Sequence, residues 1–259
     1  GDGSLFEFVN ASRDSAVTLP PLVPVPSGTG NGFATSLGIR SAADAAAAIY
    51  AGEERAMDLL SVELGNHTSR VAVLSVGWGG VADADYLTER DLRWLGSIRT
   101  LAVPLMIIAR LRSYPGKVRF KAAAKQGAIS QPHSVDKDGR IVLEGQFVMV
   151  HLCNLPWIAT DVWLAPGSEM NDGAIAVCVI RACTRFQLVN MFLKAESGTH
   201  VNLDFMEIYW ATEVILEPES TPVGSIAVDG EAMGYPGKVV VKTLPSAMKV
   251  KVPLASNSK

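Results

Sequence analysis

From about Met57 onward the chain reads almost wholly as short strands, and this restricts its fold more than any other feature of the sequence. Apolar or alternating runs fall at 59–64, 71–76, 117–123, 146–152, 175–181, 201–216, 226–228, 239–244 and 248–252. The run Met248-Lys249-Val250-Lys251-Val252 alternates strictly, which marks a strand with one face wet. Closely spaced strands with turn signals at Pro115-Gly116-Lys117, Asp138-Gly139 and Pro236-Gly237-Lys238 predict antiparallel sandwich architecture. Two helical segments interrupt the series, one over about 92–111 and one over 184–194. The second is rich in Met, Phe and Leu, and a helix of that composition is ordinarily core.

The residues before Met57 have a different texture. Gly1-Asp2-Gly3, followed by Leu5, Phe6, Phe8 and Val9, reads as a tight turn entering a helix. Such a turn usually follows a strand, and none stands before it; there is also no initiator Met or leader. The simplest expectation is a fragment whose N-terminal part is missing. TLPPLVPVP at 18–26 reads as a brief strand between turns, and it leads into Ser27-Gly28-Thr29-Gly30-Asn31-Gly32 and a helical FATSLG. A glycine-rich loop entering a helix offers free N–H groups and the positive end of a helix dipole, which suits phosphate. It is not a Walker loop, and its third glycine is misplaced for the dinucleotide fingerprint. Ser41 caps an Ala-rich helix, with Asp44 three residues on, and Gly52 ends it.

Composition removes several classes. At 259 residues the chain is one large domain or two small ones, with enough length for a sizeable core. Hydrophobic content of 48% with 19% charged residues argues against disorder. A net charge of −3 and the lack of a basic-aromatic patch give no reason to expect nucleic acid. No apolar run reaches the ~18 residues of a membrane-spanning helix. Cys153, Cys178 and Cys183 are odd in number and lack metal-site spacing, which suits a reducing, intracellular compartment.

One stretch gathers reactive groups. Residues 71–99 run from an apolar strand through a bend at Gly77, Gly79 and Gly80 to carboxylates at Asp83 and Asp85, then to Arg93 and Arg99. Glycines let backbone approach a ligand, and the nearby acids and bases can meet opposite charges on one bound pair. Taken alone, the stretch is equally well a strand, a bend and a solvated helix start.

Four segments together carry a resemblance. GDGSLFEFVN is similar to the GDG(T/S)-x-x-E-x-x-N segment of the diacylglycerol kinase catalytic fold. PVPSGTGNGFATSLG resembles the P-x-G-(S/T)-G-N loop of sphingosine kinases, with Ser27 where that loop often has its first glycine. The stretch from Ser75 to Arg99 is similar to their W-G-x-x-A-D-x-D core and closing R-x-L-G-x-x-R, and SIAVDGE at 225–231 to their returning V-D-G-E strand. The matches keep family order and span nearly the whole chain.

The resemblance implies a C-terminal remnant of an α/β nucleotide-binding domain over residues 1–55, then an antiparallel β-sandwich lipid-binding domain with inserted helices over 56–259. It implies ATP-dependent phosphorylation of the primary hydroxyl of sphingosine or sphinganine, with ceramide or diacylglycerol, or a non-catalytic lipid-binding module, as alternatives. Asp2 would be the general base. Gly1, Gly3, Glu7, Gly28, Thr29, Gly30, Arg93, Arg99, Asp229, Gly230 and Glu231 would meet the nucleotide. Asp85 would face the lipid ammonium. Val81, Thr100, Pro104, Ile108, Leu188, Met191 and Phe192 would line the tail tunnel. Mg2+ would travel with ATP rather than sit in a dedicated protein cage. The implied setting is the cytoplasm, with peripheral contact to a membrane surface; the sequence leaves the oligomeric state open.

Overall fold

Alternation along each strand decides which residues the sheet buries on which side. A computed structural model describes residues 1–15, 17, 19–28, 30–65, 67–83, 105, 107–125, 134–219 and 224–254. Three helices come first, α1 (Asp2–Asp14), α2 (Gly32–Ser36) and α3 (Ala42–Ala51). Strands follow: β1 (Glu53–Leu64), β2 (Ser69–Ala72), β3 (Ser75–Gly79), β4 (Tyr114–Ala122), β5 (Ser134–Val135), β6 (Ile141–Phe147), β7 (Met149–Cys153) and β8 (Ile175–Ile180). Helix α4 (Arg185–Ala195) precedes β9 (Met206–Pro218), β10 (Ile226–Val228), β11 (Glu231–Gly234) and β12 (Val239–Val252).

The strands make one sheet in the order β11-β10-β3-β7-β8-β9-β12-β1-β2, with β4 joining β9 to β6 and β5 at the end of that branch. Every pairing between named strands is antiparallel. Strand β9 is the pivot: residues 213–216 pair β12 on one edge and β4 on the other, while its first half pairs β8. The sheet therefore curls over itself around one core, to which Leu60, Val76, Trp78, Phe120, Phe147, Val177 and Leu216 contribute.

Strand β8 shows how two layers share one sheet. Ile175, Val177 and Val179 enter that inner core, while Ala176, Cys178 and Ile180 face an outer cluster under Leu188, Met191 and Ala195 of α4. Helices α1 to α3 cover a different region, where Val9, Phe33, Ile39 and Ala48 meet Met57, Leu59, Val250 and Val252. Capping boxes fix the starts of α3 (Ser41 with Asp44) and α4 (Thr184 with Gln187).

Several boundaries depart from the sequence reading. Pro115-Gly116-Lys117 is no turn; it lies inside β4, where a side chain on Gly116 would come within 2.7 Å of the Trp78 ring. The other two turn signals hold: Gly139 (φ +76°) closes the β5–β6 turn and Gly237 (φ +74°) the β11–β12 turn. The runs at 239–244 and 248–252 are one strand with an interruption, because the Ser246 N–H bonds Asp58 Oδ1 at 2.7 Å and Ser246 takes φ +52°. The run at 71–76 is split into β2 and β3 by a bend at 73–74. The Pro-rich 18–26 stretch contributes a single bridge, Leu22 to Val250, because proline cannot donate to a ladder. Of the helix expected over 92–111, residues 105 and 107–110 are helical, Leu111 lies past its end, and 92–104 and 106 lie outside the described residues.

Candidate active site

The site is built where the starts of α1 and α2 meet. Asp2 opens α1, where the helix dipole favours a carboxylate. Its Oδ2 accepts the backbone N–H of Gly32, the first residue of α2, at 2.8 Å. Burial raises the Asp2 pKa above 3.8, against the lowering pull of the Gly32 and Phe33 N–H groups. The N-cap glycine of α1 and the glycine loop before α2 meet beside this residue. A side chain on Gly28 would stand 3.5 Å from Gly1 Cα, and one on Gly1 would stand 3.8 Å from Gly30 O. Asn31 holds the loop shape by donating from Nδ2 to Gly28 O at 2.8 Å. A cleft of about 220 Å³ opens beside Asp2, lined by Gly1, Ser4, Asn31 and Phe33 and walled by Leu22 and Val23.

The turn between β10 and β11 supplies the far side. Asp229 is buried and takes φ +51°. Its carboxylate accepts N–H bonds from Val73 (2.7 Å), Leu74 (2.8 Å) and Ser75 (2.9 Å), so it faces protein backbone rather than the cleft. Burial, with the nearby charge of Asp2 adding to it, pushes Asp229 up to about 6 against those three donors. Gly230 is exposed beside it. Glu231 reaches α1: its Oε1 lies 3.0 Å from where a Gly3 side chain would begin. Glu7 is exposed on the same helix, farther along.

The acidic run divides its work. Asp83 accepts the Ser225 N–H and hydroxyl through Oδ1, both at 2.7 Å, and the Tyr114 hydroxyl through Oδ2 at 2.8 Å. Burial and the Asp83 charge push the Tyr114 pKa well up, so that phenol stays protonated and keeps donating. Asp83 thus ties the segment that follows β3 to the start of β10 and to β4. Asp85, Arg93, Arg99, Thr29, Thr100 and Pro104 lie outside the described residues. Val81, Ile108, Leu188, Met191 and Phe192 meet in one outer apolar cluster. Among the described residues no group of His, Cys, Asp and Glu could hold a metal ion, and no helix is long and apolar enough to cross a membrane.

The YegS C-terminal NAD kinase beta sandwich-like domain matches residues 102–252, and the diacylglycerol kinase catalytic domain matches residues 1–62. The chain belongs to the family of the YegS C-terminal NAD kinase beta sandwich-like domain. Sphingosine kinase 2 of Arabidopsis thaliana is 32% identical over 90% of the chain and 56% of its own length. Sphingosine kinase 1 of Rattus norvegicus is 29% identical over 90% of the chain and 69% of its own length. The chain thus spans about half the length of the plant relatives it matches. A crystal structure of a diacylglycerol kinase from Bacillus anthracis str. Sterne shares the fold, with a TM-score of 0.61 at 17% identity, over 96% of this chain and 73% of that one.

In this member of the family, two asparagines that the sequence reading gave no role align the site. Asn10 is a buried amide on the apolar face of α1. It donates to Val71 O and accepts from Val71 N, both at 2.9 Å, which pins the helix carrying Asp2 to the edge of β2. Asn154 donates to Val73 O and Asp58 O, both at 2.8 Å. With Asp229, three side chains from distant parts of the chain clamp the backbone at 71–75. The signal available for Asn10 was its place on an apolar stripe, one residue from Val9 and four from Phe6, where a polar group needs a partner.

Proposed function

We propose that the chain forms the catalytic part of a lipid kinase that moves the γ-phosphoryl group of ATP to the primary hydroxyl of a sphingoid base. Residues 1–55, with Arg93, Arg99 and the returning strand at 225–231, serve the nucleotide, the rest of 56–259 serves the lipid, and the enzyme works at the cytoplasmic surface of a membrane. The observation that carries this reading is the Asp2 carboxylate, fixed by the Gly32 N–H and set beside Gly1, Gly28 and Gly30, where the lack of side chains lets a ligand approach the backbone. A cradle that side chains would fill suits a polyphosphate. ATP with Mg2+ supplies the transferred group and part of the charge neutralisation. Asp2 takes the proton of the attacking hydroxyl as the bond to phosphorus forms; its raised pKa makes it a better base than a solvated aspartate. Arg93 and Arg99 neutralise phosphate charge, and Asp85 pairs with the lipid ammonium. Support for the sphingoid base comes from the names of the relatives and from Asp83, whose commitment to Ser225 and Tyr114 frees Asp85 for substrate. The test is a phosphorylation assay on the full-length protein with sphingosine, sphinganine, ceramide and diacylglycerol presented in the same mixed micelles. The expected products are the sphingoid-base 1-phosphates; preferential turnover of ceramide or diacylglycerol overturns the assignment.

A further inference from the structure

Beside β3 lies a polar group that neither the fold nor the proposed chemistry uses. His151, in the middle of β7, is 5% exposed. Its neighbours Met149 and Cys153 belong to the outer apolar cluster, so by strand alternation its ring shares their face, together with Val81, Ile108, Leu188 and Phe192. Across the ladder it stands opposite Gly77 on β3 and Cys178 on β8. A side chain on Gly77 would come within 3.1 Å of both Nδ1 and Cε1 of the ring, so glycine is what lets the imidazole lie over β3. Nε2 bonds the Ser75 hydroxyl at 3.0 Å. Nδ1 is buried and has no partner among the described residues.

That atom stands at the end of a polar trail that starts from the base. Asp2 lies close enough to Asp229 to shift its titration. Asp229 binds the Ser75 N–H, and the Ser75 hydroxyl binds the imidazole. The trail thus runs from the carboxylate that meets the reacting hydroxyl into the apolar layer that would take the alkyl tail. A buried polar atom left unpaired is costly, and a layer built for hydrocarbon has little reason to hold one. We propose that His151 Nδ1 is a hydrogen-bond contact for the secondary hydroxyl of a sphingoid base, and that it helps decide which lipid alcohol is accepted. The assignment rests on the kinase reading above and refines its substrate.

The chemistry matches on two counts. If Ser75 donates to Nε2, Nδ1 carries the proton and donates; in the other tautomer it accepts. A hydroxyl satisfies either one. Burial pulls the imidazole pKa down to about 4, so the ring is neutral near pH 7 and does not repel the lipid ammonium.

The experiment compares sphinganine with an analogue that keeps the amine and primary hydroxyl but lacks the secondary one, using the full-length protein. Wild type is expected to favour sphinganine by about tenfold or more in kcat/KM, and His151→Leu to bring the ratio close to one, mainly by slowing sphinganine. A second reading uses wild type alone, so it depends neither on turnover nor on the folding of a variant. With 15N-labelled histidine, the Nδ1 resonance of His151 should move on adding sphinganine and stay put with the analogue. Equal use of both lipids by wild type, or an equal loss on both in His151→Leu with a lower Tm, overturns the proposal and makes the ring a core piece. If no sphingoid base is phosphorylated but the resonance still moves, the contact stands and the kinase assignment falls.

Discussion

Removing the Asp229 carboxylate tests whether this residue clamps the fold or touches nucleotide. Its two oxygens accept three backbone N–H groups, Oδ1 from Leu74 and Ser75 and Oδ2 from Val73. Each buried donor left unpaired costs about 1–3 kcal/mol, and partial relaxation takes back some of the sum. Asp229→Ala orphans all three, for an expected loss of about 4 kcal/mol. Asp229→Asn keeps one oxygen for Leu74 and Ser75 but turns an amide donor toward Val73, for about 2 kcal/mol. At about 2–4 °C per kcal/mol for a chain of this size, the alanine variant should melt about 10 °C lower. Urea unfolding is the assay, with the midpoint falling and the slope unchanged. The pH dependence supplies an internal control. A carboxylate whose folded pKa is about 6 rather than 3.8 binds more protons in the native state between those values, so its contribution to stability declines as pH rises through that window and is flat above it. Wild type should therefore lose ground to Asp229→Asn between about pH 4 and 6, by about 3 kcal/mol at most. If Asp229→Ala unfolds like wild type while the KM for ATP rises, the side chain is a nucleotide ligand and the clamp argument is wrong.

Turnover should fall as pH drops, with the acid limb centred above the 3.8 of an ordinary aspartate, because burial raises the Asp2 pKa and only the ionised form accepts a proton; a limb at or below that value refutes the shift. Gly30→Ala meets no atom within 4 Å, so it should leave the Tm unchanged and raise the KM for ATP if backbone at position 30 meets phosphate. Gly32→Ala puts a methyl 2.6 Å from the Ile158 backbone and should lower both Tm and turnover by displacing the partner of Asp2. The two aspartates of the acidic run should separate cleanly. Asp83→Ala lowers the Tm and slows every lipid alike, because Ser225 and Tyr114 lose their acceptor. Asp85→Asn costs at least about tenfold in kcat/KM on sphingosine and little on uncharged lipids; equal losses on both kinds of lipid make it structural.

Local patterns carried the elements well. Strand periodicity gave most of the sheet, and the Ser41 cap gave the start of α3, because those preferences act within a few residues. What stayed hidden depends on partners far along the chain. The break between β2 and β3 exists because Asp229, 154–156 residues away, captures the backbone there. Gly116 looked like a turn residue because nothing nearby shows that the Trp78 ring occupies its side-chain space. The same holds in the site. The glycine loop and Asp2 were legible as a motif, and the structure brings Gly28 and Gly30 to Gly1 and Glu231 to Gly3, on either side of Asp2 in the chain. The division of labour between Asp83 and Asp85, and the role of Asn10, rest on tertiary hydrogen bonds that no spacing encodes.

The central claim is that Asp2 takes the proton in a phosphoryl transfer to a sphingoid base. Its most direct measurement is the rate of sphingosine 1-phosphate formation from labelled ATP by wild type and Asp2→Asn, with lipid binding and Tm taken on the same samples. Asn keeps the volume and can still accept from the Gly32 N–H, but it cannot take up a proton. The expected result is loss of most turnover with binding and Tm close to wild type. A variant that keeps more than about a tenth of the wild-type rate, a barrier change of less than roughly 1.4 kcal/mol, contradicts the claim.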